Sequence, residues 1–177
     1  MEATRPLISV IIPHLNQHNR LRNCLESLSA QTLACDNFEV IVADNGSYEF
    51  PGVNFETLSV RVVQELEPGP GAARNRGVAE AKGDLLAFID ADCVAHRDWL
   101  KNALQAMEAA PENSVLGGDV RIWRDDPTAF SALEAYESVF AYRFQMYIEE
   151  QGFCGTGNLF VKRNDFLRVG KFKGIDF

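Results

Sequence analysis

The chain has 177 residues, 46% of them apolar and 24% charged, the balance of one globular domain with room for a core. A formal net charge of −8 argues against a nucleic-acid partner, because a phosphate backbone needs a positive footprint. It leaves open a small phosphorylated ligand held by a cation and a few local arginines. The first apolar run is too short for a signal segment or a membrane span. Cys24, Cys35, Cys93 and Cys154 lie far apart with no Cys-x-x-Cys pair, so they read as reduced thiols of a cytoplasmic protein.

Residues 7–12 read as a first strand stopped by Pro13, which cannot donate to a ladder. A helix then runs to about residue 31, with Asn16 or Asn19 as its cap and Leu21, Cys24, Leu25 and Leu28 at helical spacing. Residues 38–43 form the second strand, which ends in the turn cluster Asp44-Asn45-Gly46-Ser47. A short third strand over 60–63 precedes a Pro/Gly stretch and a helix over 72–81, closed by Gly83. After a strand over 84–89 come a helix over 98–109 and a strand over 115–122. One long aromatic helix follows over 128–149, with Phe130, Tyr136, Phe140, Phe144 and Tyr147 on more than one face. A strand over 158–161 and a short helix over 164–169 complete the series. Strands alternating with helices predict an α/β fold with a mostly parallel central sheet covered on both faces. Ligands of such sheets bind beyond the carboxyl ends of the strands.

Two features fall at those ends. The apolar run after Gly83 stops at Asp90-Ala91-Asp92. If the chain stays extended there, both carboxylates point to one side. Paired hard oxygen ligands suit Mg2+ or Mn2+, which keep waters and take further ligands from a substrate phosphate. Asp44 ends the second strand, and as an acceptor-only group it could receive a nucleobase N–H or a ribose hydroxyl, or simply close an Asx turn.

The stretch Gly69-Pro70-Gly71-Ala72-Ala73-Arg74-Asn75-Arg76-Gly77 offers close backbone approach, a helix start and two cations to an anion. It is no dinucleotide fingerprint, since Arg74 stands where the third glycine belongs. Gly155, Thr156, Gly157 and Asn158 make a second small-residue loop that either admits a ligand or turns the chain. His14 and His18 sit in a loop after Pro13, a poor zinc pair. His96 either lines the Asp92 pocket or belongs to the surface. Core packing competes with a dimer, acceptor or membrane-surface contact as the use of the aromatic helix.

Together these segments resemble the family 2 glycosyltransferases, inverting enzymes of GT-A (Rossmann-like) fold. The likeness runs from Ser9-Val10-Ile11-Ile12-Pro13 with Asn16, through Gln31-Thr32 and residues 39–47, to the Gly71–Gly77 helix start. It continues through residues 83–92 with Trp99-Leu100, then Gly157-Asn158-Leu159 and Phe166-Leu167-Arg168-Val169-Gly170. The resemblance implies that Pro13 and Asp44 line a nucleoside pocket and that Arg74 lies beside the nucleotide. It implies that Asp90 contacts ribose or metal-bound water, while Asp92 ligates the Mg2+ or Mn2+ that holds the diphosphate. The loop of Gly155, Thr156, Gly157 and Asn158 would then lie near donor sugar and acceptor.

The implied reaction moves a sugar from a nucleotide-sugar, UDP-linked by family habit, to a hydroxyl of a saccharide or lipid-linked acceptor. Cytoplasmic action, at the inner membrane face for a lipid-linked acceptor, goes with it, and the aromatic 128–149 helix offers a homodimer contact. Many members carry a further acidic residue where Cys93 stands, so the ligand set here is leaner. The family's base lies in a Glu-Asp segment with no match before Phe177. The expectation is one GT-A domain over residues 1–177 that carries the donor-binding half and lacks its C-terminal part. A non-catalytic binding or assembly module of the same fold is the alternative.

Overall fold

The computed structural model describes residues 5–49, 51–52, 57–122, 128, 131–141 and 143–173. Six strands form one sheet: β1 (Ile8–His14), β2 (Phe38–Asp44), β3 (Val60–Gln64), β4 (Leu85–Ile89), β5 (Val115–Gly117) and β6 (Asn158–Lys162). Their order is β3-β2-β1-β4-β6-β5. β1, β2, β3 and β4 are mutually parallel, whereas β6 runs antiparallel to both β4 and β5. The helices are α1 (His18–Ser29), α2 (Pro70–Glu80), α3 (Trp99–Ala109), α4 (Ala132–Phe140), α5 (Phe144–Gln151) and α6 (Arg163–Val169). Among the described residues no helix is long and apolar enough to cross a membrane.

The apolar runs become central strands because both sheet faces are covered. One face packs Ile8, Val10, Ile12, Val40, Val42 and Ala87 with Leu21, Leu25 and Leu28 of α1 and Leu100 of α3. The other sets Ile11, Ile41, Leu86 and Phe88 against Val78 of α2 and Phe166 of α6. Gly77 lets α2 approach β1, as a Cβ there would lie 2.6 Å from Ile11 Cγ2.

Several boundaries differ from expectation, each for a local reason. β1 runs through Pro13 to His14, so His14 is a strand residue rather than a loop residue. His14 O accepts from Asn45 N on the β2 side. The Pro13 backbone therefore faces the other side, where the ladder with β4 has ended at Ile11, and its missing N–H forfeits no bond. Neither asparagine caps α1. Its N-cap is Gln17, while Asn16 takes φ 54° and its Oδ1 accepts from Tyr48 N. Gly83 does not close α2, which ends at Glu80. It permits a close crossing, where a Cβ would stand 2.6 Å from Ser9 N.

β5 stops at Gly117 because the Asn158 side chain turns into the ladder and donates to Asp119 O. The expected long helix is two helices, separated at the extended Ala141. A Ser131–Glu134 capping box starts α4, whereas α5 is set by the Phe144 ring over Gly155 and Ile148 over Gly117. Phe130 of the expected helix lies outside the described residues.

Candidate functional site

The order β3-β2-β1-β4 reverses direction at β1, the topological position at which open α/β sheets hold ligands. A cavity of about 460 Å3 opens there, lined by Pro13, His14, Gln17, Asn45, Gly69, Pro70, Ala73, Arg74, Asp90 and Asp92 among others. Four of the five expected nucleotide residues, Pro13, Arg74, Asp90 and Asp92, thus share one wall.

Asp90 and Asp92 meet by a different route from the expected extended strand. The chain turns at Asp90, whose carbonyl accepts from Cys93 N at 3.0 Å. Ala91 is buried beneath the turn while both carboxylates stay partly open, 37% exposed at Asp90 and 43% at Asp92. Arg74 comes from the buried face of α2 and donates Nη2 to Asp90 Oδ1 at 2.6 Å. Its Cζ lies 5.9 Å from the Phe172 ring centroid, and its buried Nε has no acceptor. Arg20 of α1 reaches Asp92 Oδ2 at 3.4 Å. Burial, together with Asp92 and Asp90, pushes the Cys93 thiol up to about 11, which keeps it protonated at neutral pH.

Asp44 stands behind the cavity wall, fully buried at the end of β2. Its Oδ1 accepts from Ser47 Oγ at 2.5 Å and from His14 Nδ1 at 2.8 Å, and its Oδ2 accepts from Ser47 N at 3.0 Å. Burial alone would raise its pKa, but these bonds to the ionised form outweigh it and hold the carboxyl low. Gln17 N donates to His14 Nε2, which places the imidazole proton on Nδ1, facing Asp44. A nucleoside would reach this carboxylate only by displacing His14 or Ser47.

Asn45 is a site residue that the sequence reading took for part of a turn. Its Oδ1 accepts from Gly69 N at 2.7 Å, and its Nδ2 donates to Glu65 O and Glu67 O. It thereby ties the end of β2 to the Pro/Gly loop. Its place beside Asp44 in the 39–47 stretch is the sequence signal, since its partners lie 20 to 24 residues away.

Of the second loop, Gly157 touches the site: a Cβ there would lie 3.0 Å from Asp90 Oδ2. Asn158 is a strut, accepting from Trp99 Nε1 at 2.8 Å and donating to Asp119 O. Gly155 seats the Phe144 ring, and Thr156 lies in the turn between them. Arg76 pairs with Glu80 at 2.9 Å and does not line the cavity. His96 is exposed beside Asp98, a surface loop residue.

The donor set can be weighed against a cation. Among the described residues no group of three or more His, Cys, Asp or Glu could hold a metal. Two hard carboxylates are therefore the available ligands, a set suited to Mg2+ or Mn2+ sharing its shell with water and phosphate. The Arg74 guanidinium beside them brings a positive charge suited to an anion.

A switch-point cavity with an Arg-bearing helix start and an Asp-x-Asp turn marks a class, and the sequence places the chain in it. It belongs to glycosyl transferase family 2, whose model matches residues 9–176. It is 31% identical to the glycosyltransferase AglE of Haloferax volcanii, over 97% of this chain and 58% of that protein. With the amylovoran biosynthesis glycosyltransferase AmsB of Erwinia amylovora the identity is 28%, over 91% and 57%. The chain thus spans a little over half the length of either relative.

Among solved structures, the mannosyltransferase PcManGT from Pyrobaculum calidifontis, in complex with GDP-Man and Mn2+, matches with TM-score 0.68. At 22% identity over 96% of this chain and 48% of that one, the likeness is one of fold. S. aureus TarS 1-349 in complex with UDP-GlcNAc matches with TM-score 0.52 at 28% identity, over 58% and 31% of the two chains. The fold is that of the GT-A glycosyltransferases.

Proposed function

We propose that this chain is the donor-binding portion of a metal-dependent, inverting glycosyltransferase that moves a sugar from a nucleotide-sugar to an acceptor hydroxyl. The observation that carries the reading is the convergence of Arg74, Asp90 and Asp92 on one switch-point cavity. Asp92, with Asp90, would hold a Mg2+ or Mn2+, which supplies Lewis-acid stabilisation of the departing diphosphate. Arg74, which lines the cavity, offers its positive charge to the nucleotide while its Nη2 orients Asp90. Pro13 and the His14 ring form the nucleoside wall, and Asp44 holds that ring from behind.

Gly157 leaves room for Asp90 where the donor sugar would approach, which assigns the Gly155, Thr156, Gly157 and Asn158 loop to shaping rather than bonding. An acceptor hydroxyl also needs a base, a role typically worth roughly 10²–10⁴-fold in rate. The carboxylates lining the cavity both pair with arginines, so we assign the base to residues outside this wall. The bound nucleotide structures of PcManGT and TarS support GDP and UDP as the first donors to test.

A thermal-shift panel of UDP, GDP, dTDP and ADP, with and without Mn2+, tests the reading. Ligand at about 100 times its Kd stabilises by about 2.7 kcal/mol. The expected result is a Mn2+-dependent shift with one or more diphosphates, lost in Asp92→Asn. No shift with any of them overturns the donor site. It would favour a non-catalytic module, for which α4 and α5, which bury no residue and expose Leu133, Tyr136 and Phe140, offer the contact face.

A further inference from the structure

Two helices open onto the cavity, α1 beside Gln17 and α2 at Gly69 and Pro70. Neither carries an acidic residue in its first turn, although acids are favoured there and α4 and α6 have Glu134 and Asp165. Both positive helix ends therefore face the cavity without an acid of their own first turn to offset them. α1 goes further and sets Arg20 in its first turn, a cation against the positive end of its own helix.

Arg20 is 66% exposed, and its Nη1 lies 3.4 Å from Asp92 Oδ2. Asp92 therefore has two claimants, Arg20 and the cation of the proposed donor site. Two cations on one carboxylate repel each other, so a metal that takes Asp92 displaces the guanidinium. A diphosphate held through that metal is the nearest anion to the displaced group. Guanidinium presents paired N–H donors that fit phosphate oxygens, on a side chain exposed enough to swing.

We propose that Arg20 is a diphosphate-binding residue that exchanges Asp92 for the donor phosphates when the cation binds. This rests on the donor-site reading and adds to it a residue that lies outside every motif in the sequence.

The test compares Arg20→Ala and Arg20→Lys with the unaltered chain, with Asp92→Asn as control. Titrations use Mn2+ alone, then UDP and GDP with Mn2+, then UMP and GMP with Mn2+. Arg20→Ala should bind Mn2+ alone about twofold to threefold more tightly, because Asp92 loses a competing cation. It should bind the diphosphates roughly threefold to tenfold more weakly, with a smaller change for the monophosphates. Arg20→Lys should restore Mn2+ affinity to that of the unaltered chain and diphosphate affinity only in part.

Opposite signs for metal and diphosphate are the signature, since a merely structural residue would weaken both together. Weakening of both overturns the proposal. So does diphosphate affinity that persists in Arg20→Ala but is lost in Asp92→Asn, an outcome that leaves the donor site standing. Absence of Mn2+-dependent nucleotide binding by the unaltered chain removes the donor-site reading and Arg20 with it.

Discussion

Arg74→Met separates the contribution of Arg74 to the fold from its contribution to binding. The buried guanidinium donates Nη2 to Asp90, covers the Phe172 ring and leaves Nε without an acceptor. A buried donor without a partner costs about 1–3 kcal/mol, and methionine removes that cost while filling similar space. Against this gain stand the bond to Asp90, about 1.5–3 kcal/mol when fully buried, and the ring contact, about 0.5–1 kcal/mol. The first loss is discounted because Asp90 is 37% exposed and recovers water. The second is largely replaced by a sulfur–ring contact of about 0.3–1.5 kcal/mol.

The opposing terms nearly cancel, so Arg74→Met should fold with a stability within about 1 kcal/mol of the unaltered chain. Binding has no such compensation. Loss of a charge-assisted contact to phosphate, about 1.5–3 kcal/mol, weakens a diphosphate roughly tenfold to a hundredfold. Urea unfolding and calorimetric titration of UDP and GDP with Mn2+ read the two quantities separately. Arg74→Ala serves as comparison and should lose about 2 kcal/mol or more through the void it leaves. Destabilisation of Arg74→Met by more than about 3 kcal/mol, or unchanged nucleotide affinity, would refute the reasoning.

Glu39→Gln should be less stable by about 1–3 kcal/mol at neutral pH. Burial would raise the Glu39 pKa, but bonds from Ser9 Oγ, Lys82 N and Arg61 hold it below its ordinary 4.5. A folded-state pKa below the unfolded one makes this stabilisation full above the unfolded value and lost as pH falls through the folded one. The urea midpoints of the two proteins should therefore converge in acid, and a gap that stays constant would contradict the assignment. Gly157→Ala should change stability by less than about 1 kcal/mol, because the neighbour its Cβ meets at 3.0 Å is a half-exposed carboxylate. Diphosphate affinity should nevertheless fall severalfold, since Asp90 must move. Calorimetry showing normal affinity would remove Gly157 from the site.

The parts legible in the sequence were those coded locally. The apolar runs of β1, β2 and β4 announce buried parallel strands because both of their faces meet helices. The carboxylates at their ends could be placed at the ligand edge from strand order alone. What escaped was coded by contacts distant in sequence. Trp99 and Asn158, bonded across 59 residues, make the second loop a strut, and the sequence shows only two glycines and an asparagine. The docking of Phe144 on Gly155 and of Ile148 on Gly117, which seats α5 after the break at Ala141, is encoded by no periodicity over the segment. His14 read as a loop residue because Pro13 ordinarily ends a strand. Only the short β4 ladder explains why it does not.

The two ends of the sheet also show why a carboxylate's type and strand position do not reveal its role. Glu39 in β2 and Asp90 just beyond β4 are both flanked by apolar residues and both pair with arginine. Glu39 lies at the amino ends of the strands and receives bonds from Ser9, Lys82 N and Arg61, which leave neither oxygen without a partner. Asp44 is similarly saturated by Ser47 and His14. Asp90 and Asp92 instead each meet one arginine, remain partly open, and stand beside a buried guanidinium N–H that has no acceptor. Arg163 Nε is also buried without a partner, so an unpaired N–H alone marks no site; what distinguishes the cavity is that two partly open carboxylates line it together with Arg74. On that basis we propose binding roles for Asp90, Asp92 and Arg74, and frame roles for Glu39 and Asp44. Substituting either frame residue should therefore change stability first and nucleotide affinity only through it.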